Sequence, residues 1–126
     1  MSAMPQISDA EWQVMQVLWQ GGEMTAGEVV EALSSSTNWR PRTIKTLLSR
    51  LVRKGAVAAS ADGRRYVYRA RVSQKACVRQ ESRSFLSRVF GGDAAPAILH
   101  LLTHHKLSPE EIDQLKQILE QEENNA

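Results

Sequence analysis

Arg40-Pro41-Arg42-Thr43-Ile44-Lys45-Thr46-Leu47-Leu48-Ser49-Arg50-Leu51-Val52-Arg53-Lys54-Gly55 carries two patterns at once. Proline sets a helix start and glycine a stop, which leaves room for about four turns. Ile44, Leu47, Leu48, Leu51 and Val52 follow the i, i+3, i+4, i+7, i+8 rule and fall on one narrow stripe, the expected buried side. On the same wheel Arg42, Thr46, Ser49, Arg50 and Arg53 point the other way, with Thr43 and Lys45 on the flanks. The outward face is therefore basic and hydroxylic. Trp39, just before the cap position, is placed to pack on Ile44 as a hydrophobic staple and reads as core.

On the C-terminal side the period changes from helical to alternating. Val57 to Ser60 reads as a strand, Asp62-Gly63 as a type I′ hairpin turn, and Arg65-Tyr66-Val67-Tyr68-Arg69 as the returning strand. Tyr66 and Tyr68 share one face, expected to pack on the helices, and Arg64 and Arg65 sit at the tip. On the N-terminal side two capping boxes mark helix starts. Ser8-Asp9-Ala10-Glu11 opens a helix to about Trp19 with Val14, Met15 and Leu18 on one face. Thr25-Ala26-Gly27-Glu28 opens a shorter one with Val29, Val30 and Leu33, ending in Ser34-Ser35-Ser36.

Three helices followed by a hairpin, the third helix basic on its outer face, describe a winged helix-turn-helix. In that arrangement the second helix braces the third, and the third enters the major groove of double-stranded DNA. Arg42, Thr43, Lys45 and Thr46 are then the early residues that reach base edges, where Arg and Lys donate to guanine and threonine offers a hydroxyl or a methyl. Arg64 and Arg65 on the wing are expected to contact phosphates or the minor groove beside it, and Arg50 and Arg53 belong to the same DNA-facing basic surface.

Charge supports this reading. The chain has 126 residues and a net charge of +2, but that sum is a cancellation. Residues 1–80 carry +6 and residues 81–126 carry −4. All 12 basic residues of the first part lie between Arg40 and Arg79, opposed only by Asp62. A merely solvated face normally mixes signs, so a block this basic is expected to face a polyanion. The competing reading is a winged helix that meets an acidic protein partner. An enzyme is not expected, because the sequence has no nucleophile elbow, phosphate loop or paired-carboxylate site. No cofactor is expected.

The second part reads as three helices: Ser73 to Phe90, closed by Gly91-Gly92; about Ala94 to His104; and Ser108 to about Glu122, opened by a third capping box at Ser108-Pro109-Glu110-Glu111. So short a piece cannot bury enough surface alone. It is expected to form a homodimer through Ile98, Leu99, Leu102, Ile112, Leu115 and Leu119, which would space two third helices for a two-fold site. The expected organisation is mainly α, with a winged-helix domain over 1–72, a helical dimerisation domain over 73–122 and a disordered tail over 123–126. No secretory signal or transmembrane stretch is read, so no membrane insertion is expected and the expected compartment is the cytoplasm.

Ser8-Asp9-Ala10-Glu11-Trp12-Gln13-Val14-Met15, Arg40-Pro41-Arg42-Thr43-Ile44-Lys45-Thr46-Leu47-Leu48-Ser49-Arg50-Leu51 and Leu107-Ser108-Pro109-Glu110-Glu111-Ile112 resemble the penicillinase-repressor family, which includes β-lactamase, methicillin-resistance and copper-responsive repressors. The resemblance covers nearly the whole chain. It implies a homodimeric winged-helix repressor on an inverted-repeat operator, released by an inducing signal. It places base and backbone contacts on Arg42, Thr43, Lys45 and Thr46, with Arg50 and the Arg64-Arg65 wing on phosphates. In the β-lactam branch a membrane-bound sensor protease triggers cutting at an Asn-Phe bond in the dimerisation domain. The matching place here is His100-Leu101, which departs from that bond; a sensor protease, a different protease cutting there or a small inducer are the expected releasing agents. In the copper branch paired Cys-X-Cys motifs near the C-terminus bind metal; this sequence has a single cysteine, Cys77, and ends Glu122-Glu123-Asn124-Asn125-Ala126.

His100 and His104, four apart on a helix, can share a metal, but no carboxylate or cysteine is placed to complete a site, so surface or interface packing is the expected role. Cys77 has Lys75 and Arg79 nearby, which would favour a thiolate, yet a lone helical cysteine reads first as a small apolar residue.

Overall fold

A computed structural model of the chain describes residues 4–126. They fold into six helices and three short strands, and the chain divides into two units between Glu81 and Ser82. In the first unit α1 spans Asp9–Gly21, β1 Met24–Thr25, α2 Ala26–Ser34, α3 Pro41–Lys54, β2 Val57–Asp62 and β3 Arg65–Ala70. α4, Gln74–Phe90, starts in this unit and ends in the second, which also holds α5, Ala94–His104, and α6, Pro109–Asn124.

The apolar stripes identified above make one core. Val14, Met15 and Leu18 of α1, Val29 and Leu33 of α2, and Ile44, Leu47, Leu48 and Leu51 of α3 are all buried, closed off by Ala56 and Val57. Val52 and Trp39 lie at its edge, half-buried against the same cluster. Both capping boxes of this unit are closed in both directions. Ser8 N–H donates to Glu11 Oε1 (2.8 Å) and Glu11 N–H to Ser8 Oγ (3.2 Å), and Thr25 and Glu28 repeat the pattern. α3 ends as its sequence requires. Gly55 takes φ +82°, its N–H reaches Val52 O, and Ala56 N–H reaches Leu51 O, so the last carbonyls are satisfied and Ala56 turns into the core.

Three details differ from expectation. β1, too short to show a period, pairs antiparallel with β3, so the wing is a three-stranded sheet of order β1-β3-β2. The hairpin turn is shifted by one residue: Asp62 pairs with Arg65 and the two loop residues are Gly63 and Arg64. A type I′ turn needs positive φ at both loop positions, but only Gly63 has it (+68°), which fits a II′ turn with glycine first. Tyr68 packs against the core, whereas Tyr66, nearer the tip, is 58% exposed. The core ends before it.

The other unforeseen feature is Glu11, buried at 2% exposure. Lys54 Nζ lies 2.5 Å from its Oε1 and also donates to Gln6 O (2.8 Å). Burial alone would raise the Glu11 pKa; hydrogen bonds from Lys54 and Ser8 and the Lys54 charge outweigh it and hold the carboxylate below its ordinary value. The stabilisation this gives is complete above the ordinary glutamate range and is lost as pH falls through the lowered folded-state value. Lys54→Met would strand the buried carboxylate at a cost of about 1–3 kcal/mol. Urea denaturation should show that deficit at pH 7 and its shrinkage below about pH 4, where glutamate protonates; a deficit independent of pH would argue against the pair.

In the second unit Ser108 and Glu111 close the third capping box, at 2.9 and 3.1 Å. α6 continues through Asn124, into the 123–126 stretch expected to be disordered. The Asn125 N–H still reaches Gln121 O, as a helix end does. The expected boundary at 72/73 falls at a bend, with Ser73 Oγ accepting the Ala76 N–H at the start of α4, while the first turns of that helix belong with the wing unit. Cys77, in those turns, is buried, and burial pushes its thiol above the ordinary value rather than toward a thiolate.

Candidate nucleic-acid interface

The outer face of α3 follows from its sequence phase. With the leucine stripe buried, Arg42, Thr43, Lys45, Thr46, Ser49, Arg50 and Arg53 are all exposed. Arg42, Lys45, Thr46, Ser49 and Arg53 line one shallow depression. Thr46 Oγ1 donates to Arg42 O (3.0 Å), which orients its hydroxyl along the helix. Among the described residues none of these cations is in an ion pair, whereas Lys54 at the end of the same helix pairs with Glu11. Lys54 therefore leaves the basic block that faces outward: it is a structural partner of α1. Thr43 and Arg50, seven residues apart, share the flank of the helix outside the depression.

A second groove opens where α3 meets the sheet. Thr25, Ala26 and Gly27 at the start of α2, Lys45 and Ser49 of α3, and Arg65, Tyr66 and Tyr68 of β3 line it. Lys45 and Ser49 belong to both depressions, so the helix face and the wing form one continuous donor-rich surface. Arg65 is on that surface, whereas Arg64 sits in the turn beyond it. Glu28 has its pKa lowered first by hydrogen bonds from Thr25 and, least of all, by the Arg65 charge, which places the two groups within electrostatic reach of each other. Ser49 and Tyr66 were not singled out as contacts from sequence. Ser49 is visible on the helical wheel, but the juxtaposition of Tyr66 with α3 depends on how the sheet packs.

In the second unit the expected dimer residues are uncovered. Ile98, Leu99, Leu102, Ile112 and Leu119 are 40% to 66% exposed and Leu115 is intermediate. Val89, Leu101 and Ile118 extend the apolar surface. From α5 and α6 only Ala97 is buried. His100 and Leu101 lie inside α5, both exposed. The His100 ring lies between aromatic neighbours, 4.5 Å from the His104 ring and 6.3 Å from that of Phe90. Among the described residues no three His, Cys, Asp or Glu side chains gather as metal ligands would, and no helix is long and apolar enough to cross a membrane.

Residues 7–121 match the family model described as Penicillinase repressor. The chain belongs to the penicillinase repressor family. Within that family it is 40% identical to the Penicillinase repressor of Bacillus licheniformis, over 98% of this chain and 97% of that one. It is 31% identical to the methicillin resistance regulatory protein MecI of Staphylococcus aureus, over 90% and 93%. Its fold matches the solution structure of the Bacillus licheniformis BlaI monomeric form in complex with the blaP half-operator, with TM-score 0.53 and 41% identity over 60% of this chain and 92% of that one. The penicillinase repressor assignment rests on nearly the full length, and the winged-helix architecture described above agrees with it.

Proposed function

We infer that this chain is a DNA-binding transcriptional repressor that grips a palindromic operator as a homodimer. The observation that carries the reading is the exposed face of α3, whose Arg42, Lys45 and Arg53 have no acidic partner among the described residues, in a chain of the penicillinase repressor family. Three cations kept unpaired on one rigid helix repel each other, an arrangement that a polyanion relieves. α3 enters the major groove with Arg42, Thr43, Lys45 and Thr46 toward base edges, while Arg50, Arg53 and the wing residues Arg64 and Arg65 meet phosphates. A solved relative bound to a half-operator supports this docking by similarity.

The uncovered surface of α5 and α6 supports pairing with a second copy, which would bury Ile98, Leu99, Leu102, Ile112, Leu115 and Leu119 and set the spacing of two α3 helices. The occupied operator is closed to transcription. Release then acts on the pairing layer: a sensor-linked protease cutting at His100-Leu101, or a small inducer that loosens α5, separates the two readers. α5 lacks a side-chain cap and buries only Ala97 by itself, so its order depends on its neighbours.

Binding of the full chain to a random-sequence duplex, followed across salt concentration, tests the electrostatic part. The logarithm of affinity should fall linearly with the logarithm of salt, with a slope near −0.9 for each phosphate neutralised. Affinity insensitive to salt would overturn the DNA reading of this face.

A further inference from the structure

We propose that His100 and His104 form a two-histidine chelate on α5 for a divalent first-row transition ion of the zinc class, which clips the last turns of that helix. The inference goes beyond the repressor reading and needs only α5 to be helical.

The chain has three histidines, and all of them fall within residues 100–105. Two of them, His100 and His104, stand one helical turn apart with their ring centroids 4.5 Å from each other and their planes tilted by 50°. Both are exposed, and among the described residues neither ring has a hydrogen-bond partner. A neutral imidazole so placed keeps a nitrogen lone pair open to an incoming ligand. His105 does not join them: it caps the helix with extended backbone, φ −131° and ψ 138°, and so leaves the helical register that aligns the other two.

The ordinary uses of histidine do not account for the pair. Core packing needs burial, which neither ring has. Complementing the C-terminal end of the helix dipole needs one cation in the last turn, and His104 alone fills that place. Pairing between copies uses another side of α5. At 100° per residue His100 and His104 lie opposite Ile98, Leu99 and Leu102, on the side of the buried Ala97, with the Phe90 ring 6.3 Å from that of His100. A second copy seated on the pairing stripe therefore leaves the two rings accessible.

Histidines at i and i+4 on one helix face have the spacing that binds a single zinc ion. Imidazole nitrogen suits zinc, copper and nickel, whereas magnesium and calcium take oxygen ligands. Two protein ligands leave the remaining coordination positions to water, so the ion comes and goes with its free concentration. An ion held only while the turn is helical stabilises that turn by linkage. α5 is where such a clip matters, because it has no side-chain cap and buries only Ala97. The His100-Leu101 bond lies inside the clipped turn, so the ion also opposes the local opening that a protease needs.

The test titrates the full chain with zinc chloride and, for comparison, with magnesium chloride. One zinc per chain should bind and shift the ring C–H resonances of His100 and His104 but not those of His105; magnesium should shift none. His100→Gln and His104→Gln should each weaken zinc binding at least about tenfold, because the second imidazole of a chelate acts at high effective concentration. His105→Gln should bind as the wild type does. Zinc should slow amide exchange over residues 101–104 at least about threefold in the wild type and have no such effect in His104→Gln. Unchanged zinc affinity in both glutamine variants, an equal response to magnesium, one ion shared by two chains, or exchange that zinc leaves unslowed would overturn the clip. Duplex binding by the metal-free chain is a separate measurement, so none of these outcomes touches the repressor reading.

Discussion

A fragment ending at Gly92 is expected to stay folded, to sediment as a monomer and to lose about 10²- to 10⁴-fold in affinity for a two-fold operator. The core residues from Val14 to Val57 all precede the cut, so the fragment keeps the packing that makes it fold. It also keeps the whole α3 face and the wing. What it loses is α5 and α6, whose exposed Ile98, Leu99, Leu102, Ile112 and Leu119 are the proposed pairing surface. When one α3 of a linked pair is docked, the second meets its half-site at a high effective concentration; two separate fragments each meet the full entropic cost of association. Affinity for a single half-site should therefore be nearly the same in fragment and full chain. Sedimentation and duplex titration of both proteins check the expectation. Equal affinity of fragment and full chain for the two-fold site would remove the reason for a dimer.

Arg42→Ala should cost about 1–3 kcal/mol per half-site on the operator, about tenfold to a hundredfold, and should relax the base preference at one position. Arg42 is in the first turn of α3, exposed and unpaired, at the end of the helix that enters a groove first. A guanidinium there can meet guanine O6 and N7 with two donors, which alanine cannot replace. Arg65→Ala offers the contrast. Arg65 stands on β3 and already feels the Glu28 carboxylate, so its removal should weaken all duplexes by a similar, smaller factor and lower the salt slope by about one phosphate. Identical patterns for the two variants would contradict the division into base reading and backbone holding.

The parts of the fold legible in sequence are those fixed by local rules. Pro41, Gly55 and five apolar positions between them define α3, because helix phase decides which side is buried, and the same phase exposes the basic face. The three capping boxes are equally local, and each forms. The parts that sequence did not show depend on encounters between distant segments. Met24 and Thr25 are a strand only because Val67 and Tyr68 come to lie beside them. Glu11 was read as a cap residue, and its second role needs Lys54, 43 residues away. That encounter turns a lysine counted in the basic block into an internal counterion. The hairpin shift has a local cause: Asp62-Gly63 scores as a turn whichever residues occupy its centre, and only the pairing of Asp62 with Arg65 decides between them. Tyr66 illustrates the same limit at the site, since alternation gave its face but not where the core ends.

The two units also explain why a net charge of +2 conceals a functional asymmetry. The first holds the unpaired cations on a helix with its own core. The second leaves most of its apolar side chains uncovered and carries the acidic excess, which suits a surface that meets its own copy rather than DNA. On this account the reader and the coupling device are separate pieces of one short chain.

The most direct test of the central claim is selection of duplexes by the wild-type chain from a randomised pool, followed by counting the chains on the best-bound sequence. The expected result is an inverted repeat whose half-site centres are about one helical turn or a multiple of it apart, with two chains bound per duplex. Absence of any enriched sequence, or a single asymmetric site holding one chain, would contradict it.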